Sequence, residues 1–198
     1  MTKIISVDLD NILADSGNAF LQFYGNTIKD KILQITDISE YYLHNIPQLE
    51  MSSDENEALR DKFFIEVRKE HFLPVPGAVA WIAKLQSLGY EMYVVTWRKD
   101  KRHDVTKERV DHRFPDVFAD IVFSNSLTAS AIDKWTLCKR IGAEKHIDDY
   151  LIFAEEVTSS GIDVVLLDKP RNHTYDPQVH TWIKKVFSWE EIVGEFDV

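Results

Sequence analysis

With a single cysteine, Cys138, among 198 residues, the chain can form no intrachain disulfide, and a reducing, cytoplasmic setting is expected. No apolar stretch reaches the roughly 18 consecutive residues of a membrane-spanning helix. The N-terminal MTKIISVDLD turns acidic at Asp8, too early for the apolar part of a secretion signal. Basic residues are outnumbered as well: 23 Lys and Arg against 33 Asp and Glu leave a formal charge of −10. That sign argues against indiscriminate binding of nucleic acid polymers or anionic membranes. It still permits a small phosphorylated partner, which a metal and one or two local cations can hold. The chain has no internal repeat or low-complexity tract. Its 44% hydrophobic and 12% aromatic content is that of a folded protein, and its length suits one domain with an insertion.

What is present begins with residues 4–15, IISVDLDNILAD. The apolar run at 4–7 predicts a buried, parallel strand. It ends in Asp8 and Asp10, and residues i and i+2 of a strand share a face. Both carboxylates can then enter one crevice beyond the strand's carboxyl end. Burying such a pair is costly without compensation, and a hard, oxygen-loving cation such as Mg²⁺ is the simplest compensation. One Asp would serve as nucleophile and the other as acid/base. The plainer alternative is a solvated turn that happens to contain two aspartates.

Residues 16–74 read as a mostly helical insertion. Apolar positions at 16–24 suit a helix face, and Ser52-Ser53-Asp54-Glu55 predicts the start of a second helix, ending near His71. Placed directly after the aspartate pair, the insertion predicts a cap that closes over the site; a helical pair that merely covers the sheet is the alternative. Pro74-Val75-Pro76-Gly77 punctuates the return to the core. From there strands and helices alternate, predicting strands at 90–95, 121–124, 145–149 and 163–167. This is the pattern of an α/β, doubly wound parallel sheet, with residues 1–15 and 75–198 as core and 16–74 as cap. Polar residues recur where such a sheet keeps its ligands. Thr96 and Arg98 follow the second strand, Lys134 opens a helix against the sign of the helix dipole, and Asp148-Asp149 end the fourth strand.

The ordered set Asp8, Asp10, Thr96, Lys134 and Asp148-Asp149 resembles the four motifs of the haloacid dehalogenase-like (HAD) superfamily, mostly Mg²⁺-dependent phosphohydrolases. The resemblance implies a Rossmann-like core, with Asp8 as the nucleophile that becomes an aspartyl-phosphate and Asp10 as acid/base. It implies phosphate contacts at Thr96, Trp97 and Lys134. The metal would be held by Asp8, the Asp10 backbone carbonyl and Asp149, with Asp148 behind them. Within the superfamily, DLDNILADS, Thr96-Trp97-Arg98, Lys169-Pro170-Arg171-Asn172 and SWEEI resemble segments of the 5′(3′)-deoxyribonucleotidases and related nucleotidases. Asn11 stands where that group usually has glycine, and Trp97 where a small residue is common. The expectation is a phosphomonoesterase acting on a nucleoside monophosphate, with Arg98, Phe20 and Tyr24 as further substrate contacts. A sugar phosphate or other small metabolite, or a non-catalytic signalling domain that binds phosphate and Mg²⁺, are the alternatives, and a homodimer is left open.

Overall fold

The computed structural model describes residues 3–67, 69–126 and 128–196. The first apolar run forms β1 (Lys3–Val7). The chain then leaves the sheet for α1 (Ser16–Phe23), a hairpin of β2 (Thr27–Ile28) and β3 (Lys31–Ile32), a series of 3₁₀ turns, and α2 (Ser53–Glu66). It returns through α3 (Ala78–Ser87) and β4 (Tyr90–Thr96), then α4 (His103–Arg113), β5 (Phe118–Phe123), α5 (Lys134–Ile141) and β6 (Lys145–Asp148). The remaining elements are α6 (Leu151–Thr158), β7 (Asp163–Leu167), β8 (Ile183–Val186) and α7 (Trp189–Gly194).

Six strands form one parallel sheet in the order β5-β4-β1-β6-β7-β8. The order reverses at β1, which pairs with β4 on one side and β6 on the other. A crevice opens at the carboxyl ends at such a reversal. The predicted doubly wound sheet is therefore present, with one strand more than expected. In β8 the sequence IKKV interrupts its apolar residues with two lysines, which disguises it. Lysines of this kind also blunt an exposed sheet edge.

Residues 16–74 lie outside the sheet and carry an apolar cluster of their own, including Leu21, Ile28, Leu43, Leu49 and Met51. They are less helical than expected. The middle of the segment turns repeatedly, and the buried Asn56 pins it by accepting the Leu43 N–H at 3.1 Å. The expected start of α2 is present as a capping box: the Ser52 hydroxyl accepts from Glu55 N, and the Glu55 carboxylate accepts from Ser52 N. The helix stops at Glu66 rather than near His71, and a separate 3₁₀ turn covers Lys69–His71. At the far end of the chain α7 is tied to the first loop, where Trp189 Nε1 donates to the Ile12 carbonyl at 2.9 Å.

Candidate active site

Strand β1 delivers Asp8 to the sheet's carboxyl edge, where its amide donates to the Ile147 carbonyl of β6 at 2.8 Å. The adjacent strands thus bring Asp8 beside Asp148 and Asp149, and an oxygen of each lies within 4.8 Å of the others. All three are buried, at 5%, 0% and 2% exposure. One cation serves two of them: Lys134 Nζ, itself 1% exposed, donates to Asp8 Oδ1 at 2.6 Å and to Asp148 Oδ2 at 2.7 Å. The lysine that runs against the helix dipole therefore has a partner-based reason for its place. Both neighbours raise its pKa against the effect of burial. Burial pushes the Asp8 carboxyl up to about 7; Lys134 opposes this, while Asp148, Asp149 and Asp10 add to it. Asp8, Asp148 and Asp149 each offer a carboxylate oxygen, the kind of ligand that a hard divalent cation takes.

The two acids that end β6 have different surroundings. Asp148 is saturated. Its Oδ1 accepts the amides of Asp149 and Tyr150 at 2.8 and 2.9 Å, and its Oδ2 accepts from Lys134 and from His146 Nε2, the latter at 2.9 Å. These donors hold its pKa below the usual carboxylate range despite burial. Asp149 instead pairs with Arg171. Burial and Asp148 keep its pKa raised in spite of that arginine. The loop beneath is fixed by the buried Asn172, which accepts from Leu151 N and donates to the Asp149 carbonyl, each at 3.0 Å.

Asp10 projects from the loop that follows β1. Arg98 grips it through two hydrogen bonds, Nη2 to Oδ1 at 2.6 Å and Nε to Oδ2 at 2.9 Å, and the Ser16 hydroxyl donates to Oδ1 as well. Burial works against ionisation, but Arg98 and Ser16 outweigh it and hold the carboxyl down at about 2. Arg98 is buried between the rings of Phe64 and Phe72, at 4.4 and 4.9 Å. The departure at Asn11 has a local reason. Its φ of 63° is left-handed, a region asparagine tolerates, and its Oδ1 accepts the Gly17 amide at 2.8 Å. A Cβ on Gly17 would come within 2.6 Å of Ile35 Cδ1 and 3.0 Å of Asn11 Oδ1, so a side chain there would make Ile35 shift.

A cleft joins this floor to residues 16–74. Asp8, Asp10, Lys134, Asp149 and Arg171 line its floor, and Phe20, Tyr41, Phe63, Trp97 and Phe153 its walls, with Arg60 alongside. Trp97 stacks on Phe153 with centroids 4.2 Å apart, and Tyr41 on Tyr150 at 5.1 Å. The guanidinium of Arg60 lies 5.1 Å from the Tyr41 ring. A narrower recess beside the cleft adds Glu57, Lys99 and Arg102.

Of the residues singled out from sequence, Asp8, Asp10, Trp97, Lys134, Asp149 and Phe20 line the main cleft. Asp148 is sealed behind Lys134. Thr96 is fully buried, and its Oγ1 accepts the Arg98 amide at 3.3 Å. Tyr24, expected at the substrate, has its hydroxyl on the Leu59 carbonyl at 2.7 Å and its ring packed on Phe20 and Phe23, within residues 16–74. Sequence reasoning assigned no role to Ser16, Arg60, His146 or Arg171. A polar residue inside an apolar strand marks His146. Ser16 opens α1, Arg60 sits within α2 and Arg171 in a 3₁₀ turn, and none carries a periodic signal of its own.

Neither a protein-family model nor a curated protein matches the chain. Solved structures do. The haloacid dehalogenase-like hydrolase family protein SP0104 from Streptococcus pneumoniae superposes with a TM-score of 0.68 at 16% identity, covering 98% of both chains. CbbY from Rhodobacter sphaeroides, solved in complex with phosphate, gives 0.62 at 15% identity over 97% of this chain and 96% of its own. YfnB from Bacillus subtilis, bound to magnesium, gives 0.57 at 14% identity over 98% and 97%. At these identities the likeness is one of fold, over nearly the whole length of each chain. The chain has the fold of the haloacid dehalogenase-like hydrolases.

Proposed function

We propose that this protein is a Mg²⁺-dependent phosphomonoesterase that works through an aspartyl-phosphate on Asp8. The observation that carries the proposal is the buried cluster of carboxylate oxygens on Asp8, Asp148 and Asp149, within 4.8 Å of one another, with Lys134 held between Asp8 and Asp148. Asp8 and Asp149 are the side chains that fit the metal, while Asp148, with both oxygens already engaged, holds Lys134. When bound, Mg²⁺ would neutralise the phosphoryl oxygens and allow one anion to approach another.

The chain's own residues supply the rest. In the first step an Asp8 oxygen attacks phosphorus, the ester P–O bond breaks, and the leaving alkoxide takes a proton from the Asp10 carboxyl. In the second, the Asp10 carboxylate accepts a proton from water. The water oxygen attacks phosphorus, the bond to Asp8 breaks, and inorganic phosphate leaves. Lys134 stays beside Asp8 throughout and balances charge on the transferring group. In the state described here the Arg98 pair keeps Asp10 in its charged, proton-accepting form, suited to the second step. The first step requires the pair to open so that Asp10 can carry a proton. Residues 16–74 act as the cap that excludes water and shapes the cleft.

For substrate we propose a nucleoside or deoxynucleoside monophosphate, because stacked aromatic walls suit a flat base. A sugar phosphate is the rival reading, and the guanidinium groups of Arg60 and Arg171 in the same cleft favour it, since both offer hydrogen bonds to hydroxyl groups. The test is phosphate release with Mg²⁺ from a panel of ribo- and deoxyribonucleotides, sugar phosphates and an aryl phosphate. A nucleotide preference upholds the first substrate class, and a sugar-phosphate preference replaces it. No release from any member overturns the phosphatase proposal.

A further inference from the structure

Parallel strands covered on both faces call for apolar side chains, and β1 and β6 break that rule at one shared place. Ser6 and His146 are register partners across the two strands, and neither is exposed at all. Ser6 Oγ lies 2.8 Å from His146 Nδ1, and His146 Nε2 lies 2.9 Å from Asp148 Oδ2. Exchanging two mutually bonded buried polar groups for apolar ones of similar shape is close to neutral only where neither has a further partner. The pair does, however, end on the carboxylate that governs Lys134.

We infer that His146, steadied by Ser6, is a positioning residue that fixes the Asp148 carboxylate so that Lys134 stays on Asp8. This rests on the phosphomonoesterase reading above. Two backbone amides clamp Asp148 Oδ1, whereas Oδ2 has only Lys134 and His146 as donors. The Asp148 carboxylate is an acceptor, so the facing Nε2 carries a proton whether the ring is neutral or charged, and the role does not depend on titration. Without that ring, Lys134 becomes the only donor to Oδ2. Its ammonium is then drawn toward Asp148 and away from Asp8 Oδ1. The nucleophile loses its alignment while the substrate-binding walls are untouched.

The test uses the full chain with saturating Mg²⁺ and an aryl phosphate, reading kcat, KM and melting temperature for the wild type, His146→Leu, His146→Gln and Ser6→Ala. His146→Leu should lower kcat about 10- to 100-fold, the cost typical of losing a partner one layer behind a reactive group. KM should stay within about twofold of wild type, while the melting temperature should fall, because the buried Asp148 carboxylate and the Ser6 hydroxyl each lose a partner. Glutamine, which keeps an N–H donor, should restore most of kcat, and Ser6→Ala should show a smaller loss in kcat alone. Wild-type kcat in His146→Leu would overturn the inference, as would a His146→Gln variant that melts like wild type yet keeps the full loss in kcat. Should His146→Leu not fold, equal and full activity in His146→Gln and Ser6→Ala with wild-type melting would also overturn it. An inactive wild type sinks the phosphatase reading and this inference with it. An active wild type with indifferent variants sinks the inference alone.

Discussion

At the floor of the cleft the charged side chains have named partners: Lys134 between Asp8 and Asp148, Arg98 on Asp10, Arg171 on Asp149. In the walls the contacts are mostly ring against ring, and among the described residues the buried Trp97 Nε1 has no hydrogen-bond partner. The floor is thus specified by hydrogen bonds, which fix atoms to tenths of an ångström, and the walls by packing, which tolerates change of shape. A floor of this kind keeps one chemistry, while the walls can adapt to different substrates. Changes at the floor should therefore abolish the reaction, and changes in the walls should retune binding.

The largest effect is expected at Asp8. Asp8→Asn should cut turnover by on the order of 10⁴-fold or more, as removal of a covalent nucleophile does. The same change has a second signature. The folded-state pKa of Asp8 is raised from 3.8 to about 7, so folding favours the protonated form. Its contribution to stability is complete at low pH and lost as pH rises through about 7. Metal-free Asp8→Asn should consequently melt higher than wild type at pH 8 and close to it near pH 4, the unfolded-state pKa, where most of the difference is gone. Thermal melts at the two pH values, beside a phosphate-release assay, check both halves.

How much of this contrast is legible in the sequence follows from how far each contact travels along the chain. Asp8 and Asp10 are readable because strand period and position suffice, and Lys134 because a lysine at a helix start needs an explanation. The parallel sheet is readable because its strands are apolar runs between helical patterns, except β8, whose lysines hide it. Arg171 on Asp149 and Arg60 on Tyr41 are not readable: Arg171 is a single residue brought in by a turn, and Arg60 is one of several charged residues on α2 that helical spacing alone does not tell apart. Tyr24 misleads for a related reason. Helical spacing shows that it faces inward, but not whether inward means the cleft or the cap's own interior.

The next effect concerns the metal. If Asp8 holds Mg²⁺ as proposed, protons compete with the metal for it, and Mg²⁺ affinity should rise with pH up to about 7 and level off above it. Well below that point the loss should approach about tenfold per pH unit, the slope for one proton displaced. Calorimetric titration with Mg²⁺ from pH 5 to 8 measures this without any substrate. An affinity independent of pH would separate the metal from Asp8 and weaken the account of the floor.

A smaller effect belongs to the walls. Trp97→Ala removes the ring stacked on Phe153 and should raise KM for a nucleotide about tenfold, the scale of one lost base–aromatic stack. For an aryl phosphate too small to span the walls, kcat should stay near the wild-type value. A fall in kcat for both substrates would show that Trp97 helps hold the floor, and the line between floor and walls would need redrawing.

The smallest change tests where the walls end. Tyr24 lies in the same aromatic cluster as Phe20, which does line the cleft, yet its hydroxyl is spent on the Leu59 carbonyl inside the cap. Tyr24→Phe keeps the ring and deletes only that bond, leaving the carbonyl without this donor. The expected cost is about 0.5–1.5 kcal/mol of stability, the net worth of one such hydrogen bond. KM and kcat should be unchanged for nucleotide and sugar phosphate alike. Denaturant melts give the first quantity and steady-state assays the second. An altered KM with unchanged stability would return Tyr24 to the substrate and make the cap interior continuous with the cleft.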